Sequence, residues 1–269
     1  MTNKYLHRDD APFGEKVWNR IDEIVVAAAK SQLSGRRILH IDGPFGLELK
    51  NLPGTDRQLG EGGEGVTISA SVPVPVVELH AAFKLPVRDV ATFESTDLPF
   101  QAEGIAKAAL ACAQAEDNLI FNGSKAAGMT GLLSAKGTES HQLQSWDEIG
   151  RAADDLIRAI TKLDAAGFHG PYAAALSPNL YNLLYRRYHQ GNATEIEHVS
   201  QIITDGLVKA PVLKSGGVLI ATGRQYASIV LGQDLAASFV GPDDREYEFA
   251  ISESLALRLV VPESICILK

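Results

Sequence analysis

The chain has 269 residues, of which 45 % are hydrophobic and 22 % charged, with a net charge of −8. That length can bury a sizeable core and the composition is that of a globular protein, while the acidic balance argues against nucleic-acid packaging and against attraction to a membrane surface. No apolar run approaches the ~20 residues of a membrane-spanning helix and the first ten residues lack a signal-peptide core, so a cytoplasmic location without membrane or nucleic-acid partners is expected.

The apolar stripe Val17, Trp18, Ile21, Ile24, Val25 and Ala28 predicts a helix from about Gly14 to Leu33. Within it, Ile24 to Ala29 is apolar on every side, which predicts contacts from two directions. A strand is expected over Ile38 to Ile41, followed by the turn Asp42-Gly43-Pro44. The polar run Gly60 to Gly65 then reads as a hinge. Beyond it, the even positions Val66, Ile68, Ala70, Val72, Val74 and Val76 hand over to the odd positions Val77, Leu79, Ala81, Phe83, Leu85 and Val87. Alternation with period two predicts an extended ribbon with one apolar face. A long arm with an apolar face needs another surface to cover it, and a second copy of the chain supplies one.

A second, alanine-rich helix is expected from Phe100 to Phe121. Ser145-Trp146-Asp147-Glu148 has the pattern of a capping box opening a third helix that Gly167 ends. Ser177-Pro178 opens a fourth, continuing to Tyr188, and Thr194 to Glu197 opens a fifth. After Pro211 the chain turns to β structure: Val218–Ala221, Ala227–Leu231, a long ribbon from Tyr247 to Val261 interrupted on its apolar face only by Glu253, and Ile265–Leu268. Helices and strands mix without a βαβ rhythm, so the class is α+β.

Chemistry-bearing motifs are scarce. Gly60-Glu61-Gly62-Gly63-Glu64-Gly65 matches a dinucleotide fingerprint in letters alone, because a strand rather than a helix is expected after it. His7-Arg8-Asp9-Asp10 lacks the companions of a kinase loop, and no GxSxG elbow occurs. The seven histidines show no ligand spacing, so no metal site is expected. Cys112 and Cys266 sit in apolar runs and read as buried small hydrophobes. Asp154-Asp155 and Asp243-Asp244 read as solvated. Tyr185 to His189 reads as a helix end favoured by the dipole, and Gln190 to Ala193 as an unanchored polar loop.

Several segments, in order, resemble the shell protein of family 1 encapsulin nanocompartments: Gly35-Arg36-Arg37-Ile38 with Gly43-Pro44; Pro75 to Phe83; Ala115-Glu116-Asp117-Asn118 through Gly123; Gly128-Met129-Thr130-Gly131-Leu132; Gly170-Pro171-Tyr172; Leu231-Gly232-Gln233-Asp234-Leu235; and Pro262 to Ile265. The resemblance implies the HK97 capsid fold. Residues 1–47, 89–141 and 228–269 would form the P-domain, 48–88 the E-loop and 142–227 the A-domain. Val74, Val76, Val77, Leu79 and Phe83 would make the E-loop's contacts between subunits. His189, Gln190, Gly191 and Asn192 would line a pore. Ala29, Leu33 and Arg36, with Asp234 and Leu235 opposite, would receive the terminal targeting peptide of a cargo protein. The implied assembly is icosahedral, with 60 copies or a multiple, and without catalytic residues. The shell needs no cofactor of its own, with a flavin left open; iron or haem would reside in a ferritin-like or peroxidase cargo. A prophage major capsid protein and a soluble enzyme with a site assembled from distant residues are the alternatives.

Overall fold

The computed structural model describes residues 4–54, 56–188 and 192–269. In chain order, helix α1 (Glu15–Gln32) leads through a tight turn to β1 (His40–Asp42). The arm follows, with β2 (Asn51–Leu52), β3 (Asp56–Gly63), β4 (Val66–Ser71), β5 (Val74–Pro75) and β6 (Val77–Pro86). Next come α2 (Val87–Thr96), the long α3 (Glu103–Asn122), β7 (Gly123–Ser124), β8 (Met129–Thr130) and β9 (Glu139–His141). The following stretch holds α4 (Arg151–Ala165), β10 (Tyr172–Leu176), α5 (Pro178–Leu183), α6 (Glu195–Ile202), β11 (Leu207–Lys209) and β12 (Gly217–Ala221). The chain closes with β13 (Ala227–Leu231), β14 (Ala236–Asp243), β15 (Glu246–Leu259) and β16 (Ile265–Leu268).

Two sheets organise these elements. In the first, β15 is central: β6 pairs along one edge from Glu246↔Pro86 to Leu255↔Val77, while β14 and β13 lie end to end along the other, and β1 runs parallel outside β13. Apolar side chains of β6 and β15 alternate inward against α1 and α3, where Ile21, Val25, Phe83, Leu85, Ile105, Phe249 and Ile251 form one core. The second sheet runs β11-β10-β12-β16-β9. Leu156, Leu163, Leu176, Leu184, Val199 and Leu219 make its core beneath α4 to α6. A third cluster, including Phe121, Leu132, Val218, Ile229 and Leu257, joins the two sheets.

The mixed α+β architecture and the long C-terminal ribbon, here β15, agree with the sequence pattern. Several elements do not. β14 and α2 had no expected counterpart. α4 begins at Arg151 with Gly150 as its cap, not at Ser145; the serine hydroxyl bonds the Asp147 carboxylate instead of capping a helix. α5 stops at Leu183, five residues before Tyr188. β9 and β16, which the resemblance assigns to the P-domain, are hydrogen-bonded into the second sheet. The predicted ribbon over 66–87 is two objects. Its first part is half of a β3–β4 hairpin, and the glycine run supplies the end of β3 and the turn, with Gly63 (φ 136°) and Gly65 (φ 75°) in the left-handed region that glycine tolerates. The run is therefore paired strand and turn, not a hinge.

Candidate functional site

The arm hairpin has nothing beneath it. Every described residue from Asp56 to Ser71 is exposed, including Leu59 at 66 %, Val66 at 54 % and Ile68 at 47 %, and Val72 just beyond at 42 %. Covering each such side chain is worth about 1.5–3 kcal/mol, and these side chains are left uncovered by the described residues of the chain. The residues expected to make contacts between subunits lie elsewhere. Phe83 stacks on Phe249 with centroids 4.9 Å apart and 4° between planes, inside the chain's own core. Val77 and Leu79 are half-buried against the core shared by the two sheets. Val74 and Val76 pack on Leu52, Val230 and Ala256. The reason is register: β6 is an edge strand of the first sheet, so its odd side chains face the body that carries it. The more exposed apolar side chains of the arm are those of Leu59, Val66 and Ile68.

A second focus surrounds Arg36. At the end of α1 the chain makes a turn over Gly35–Arg37 that α3 holds in place. The Asp117 carboxylate accepts hydrogen bonds from the Ser34 amide (2.9 Å), the Ser34 hydroxyl (2.6 Å) and the Gly35 amide (2.9 Å). A Cβ on Gly35 would lie 2.8 Å from Ile120 Cδ1, so any larger residue at this position would force the buried Ile120 side chain to shift. The turn aims Arg36 into the protein. Its Nε donates to Glu116 Oε1 at 2.8 Å, Nη2 to Glu116 Oε2 at 3.0 Å and to Glu253, and Nη1 to Asp234 Oδ1 at 2.8 Å. Glu116 and Glu253 are buried; the Asp234 side chain is half exposed. Burial, followed by the neighbouring Glu116 charge, pushes the Glu253 carboxyl up to about 9. Burial also raises Glu116, against its bonds to Arg36. One guanidinium thus serves two buried acids, both of which burial pushes toward holding a proton.

The five expected peptide-binding residues do converge. Ala29 and Leu33 form one apolar cluster with Ala113 and the half-buried Leu235, and Arg36 bonds Asp234 beside it. Most of their surface is already taken, however. Arg36 is engaged by three carboxylates, and Ala29 and Leu33 are 4 % and 7 % exposed. The open part of α1 is its other face, where Ala27 is exposed and Val26 is 46 % exposed. The apolar run from Ile24 to Ala29 is therefore packed from one direction only within a single chain. Sequence reasoning missed Glu116 and Glu253; the signal was present in Glu253, the one acid on the inward positions of a long apolar ribbon.

In the second lobe Asp155, expected at the surface, is fully buried. Its carboxylate meets His141 Nε2 at 2.9 Å, the Trp146 indole N–H at 2.8 Å and the Gln144 amide at 2.8 Å. Burial pushes its pKa up, but these bonds together outweigh burial and hold it below the ordinary carboxylate range. Glu195, also fully buried, accepts the Gly150 amide at 2.9 Å and the Ala153 amide at 3.3 Å, capping α4 from the first turn of α6. The loop between α5 and α6 is clamped at both sides. Tyr188 N–H donates to Ala193 O (3.1 Å), Glu195 N–H to Arg186 O (3.0 Å), and Thr194 and Glu197 form the expected capping box. Of the pore residues, Asn192 is exposed, and His189, Gln190 and Gly191 lie outside the described residues. Cys112 and Cys266 are buried free thiols, both pushed up to about 11 by burial. Among the described residues no group of three or more His, Cys, Asp or Glu side chains is placed to hold a metal ion.

Comparison with known proteins identifies the family of this fold. The family described as an encapsulating protein for peroxidase matches residues 2–256. The type 1 encapsulin shell protein EncA of Myxococcus xanthus is 32 % identical over 98 % of this chain and 96 % of its own length. A diheme-cytochrome-encapsulin shell fusion protein of Kuenenia stuttgartiensis is 30 % identical over 94 % of this chain and 72 % of its own. Among solved structures, the virus-like particle of Pyrococcus furiosus aligns with a TM-score of 0.73 at 21 % identity, covering 96 % of this chain and all of that one. The capsid of an empty GTA particle aligns at 0.59 with 12 % identity over 86 % of this chain and 87 % of that one. The chain belongs to the encapsulin shell-protein family and has the HK97-type capsid fold.

Proposed function

We propose that the chain is a structural subunit, not a catalyst, that closes through its arm into an icosahedral shell of sixty copies or a multiple of sixty, in the cytoplasm, around a cargo enzyme. The observation that carries this reading is the hairpin of β3 and β4, whose aliphatic side chains Leu59, Val66 and Ile68 are 66 %, 54 % and 47 % exposed. It is supported by the absence, among the described residues, of any helix long and apolar enough to cross a membrane. Size-exclusion chromatography and electron microscopy test it directly: closed particles in the megadalton range are expected, and a small oligomer that never forms shells refutes it.

Cargo would be recruited by a terminal peptide on the outer face of α1, at Val26 and Ala27, beside Asp234 and above the cluster of Ala29, Leu33 and Leu235. The family's description and the cytochrome fusion in one relative favour a redox cargo, a peroxidase or a ferritin-like protein, with haem or iron in the cargo and no cofactor required in the wall. The loop containing Asn192 would border a pore. Val26→Asp should give closed shells without cargo; unchanged cargo occupancy in the purified particles would refute this docking face.

A further inference from the structure

At the foot of the arm, a cleft of about 610 Å³ opens between the arm and the body. Three cations line it: Arg57 from β3, Lys136 from the loop before β9, and Arg258 from β15. No aspartate or glutamate lines it, in a chain with 33 acidic against 25 basic residues. Among the described residues none of the three cationic groups has a hydrogen-bond or ion-pair partner, whereas Arg8, Arg36, Lys84, Arg151 and Arg224 each bind a carboxylate. Glu263 Oε1 would stand 3.5 Å from a Cβ on Gly137, the residue after Lys136, but Glu263 is outside the cleft lining. Thr130 and Ser134 add two hydroxyl residues, and the rest of the wall is apolar and includes Val72, Leu257 and Leu259.

Three unpaired positive charges gathered in one concavity repel one another until an anion enters. Two of them are guanidinium groups, whose planar forks match phosphate oxygens in pairs. A phosphate monoester brings about −1.5 to −2 charges. Phosphate alone would leave the apolar wall wet, and an uncharged apolar molecule would leave the cations unpaired, so the lining asks for both in one ligand. The volume lies within the roughly 300–1,000 Å³ of small-molecule sites.

We propose that this cleft binds a phosphorylated small molecule of mononucleotide size, its phosphate held by Arg57, Lys136 and Arg258 and its body against Val72, Leu257 and Leu259. The site is complete within one chain and so does not rest on the shell reading. Because Arg57 and Val72 belong to the arm and Arg258 to the body, an occupant ties one to the other.

Isothermal titration calorimetry with AMP, adenosine and inorganic phosphate, on purified particles and on dispersed subunits, tests the proposal. AMP should bind once per chain in both forms, with adenosine and phosphate each at least tenfold weaker. Arg258→Gln should weaken AMP tenfold or more with an unchanged thermal midpoint, and Arg57→Gln should do the same from the arm side. AMP binding no tighter than phosphate, or unaffected by both substitutions, would overturn the proposal. So would binding to dispersed subunits that disappears in particles, which would assign the cleft to a neighbouring copy. Particle formation is read separately in the microscope, so failure here leaves the shell reading intact.

Discussion

β4 and β6 belong to one arm and carry the same alternation of apolar side chains, yet they meet opposite fates. β6 lies along the edge of β15 and turns Phe83 and Leu85 into the core; β4 pairs only with β3 and turns Val66 and Ile68 into solvent. The difference is one of position. Alternation establishes that a strand has an apolar face, and only the tertiary register decides whether that face closes the strand's own subunit or waits for another. In a shell protein the two must coexist: one strand anchors the arm, the other reaches.

Substitutions that set the two strands against each other can break this comparison. The largest effect is expected at Phe83→Ala, which removes a ring stacked on Phe249 and should cost the subunit about 3–5 kcal/mol, measured by denaturant unfolding; a near-neutral result would mean that β6 is not an anchor. Arg36→Ala comes next. It leaves Glu116 and Glu253 buried without their cation beside β6, where Glu253 stands opposite Leu79, and breaking such a group costs about 3–5 kcal/mol, partly relieved here by proton uptake. Loss of cargo without loss of stability would instead show that Arg36 faces a ligand.

The pH dependence sharpens the picture of β6 and β15. Glu253 binds its proton more tightly in the folded chain, up to about 9, than a free glutamate near 4.5. The stability linked to it is therefore fully present below pH 4.5 and is lost as pH rises through about 9, by up to about 1.4 kcal/mol per pH unit. Glu253→Gln should flatten the decline between pH 7 and 9 in unfolding experiments on dispersed subunits; an identical slope would remove Glu253 from the account. The smallest effect on the subunit is expected at Ile68→Asp. Its unfolding free energy should move by no more than about 0.5 kcal/mol, as for other exposed sites, while assembly is abolished in electron micrographs. Intact particles would show that the hairpin is not the covering element.

Much of this was legible in the sequence. Two of the C-terminal strands are short, mostly apolar runs, so Ala227–Leu231 and Ile265–Leu268 coincide with the expected segments. The cluster around Arg36 was half legible: Arg36 and Asp234 were singled out through the resemblance, and they do meet. Their role was not, because what occupies Arg36 comes from Glu116 on a helix and Glu253 on a strand, brought together only by the sheet packing on α3. Asp155 escaped for the same reason: a charged residue beside Asp154 reads as surface until His141 and Trp146 are folded over it. The arm's break at Pro73 was visible as a proline, but the change of partner across it was not, since local pattern carries no information on which edge a strand joins.

The clamped segment between α5 and α6 has a practical corollary. Backbone bonds from Tyr188 to Ala193 and from Glu195 to Arg186 fix both stems, while Glu195 ties the distal stem to α4. Chain added between such stems incurs a closure penalty that grows only by about 0.6 kcal/mol per doubling of length. Foreign peptides grafted there would be displayed on an unaltered scaffold, repeated with the regularity of the lattice that carries them.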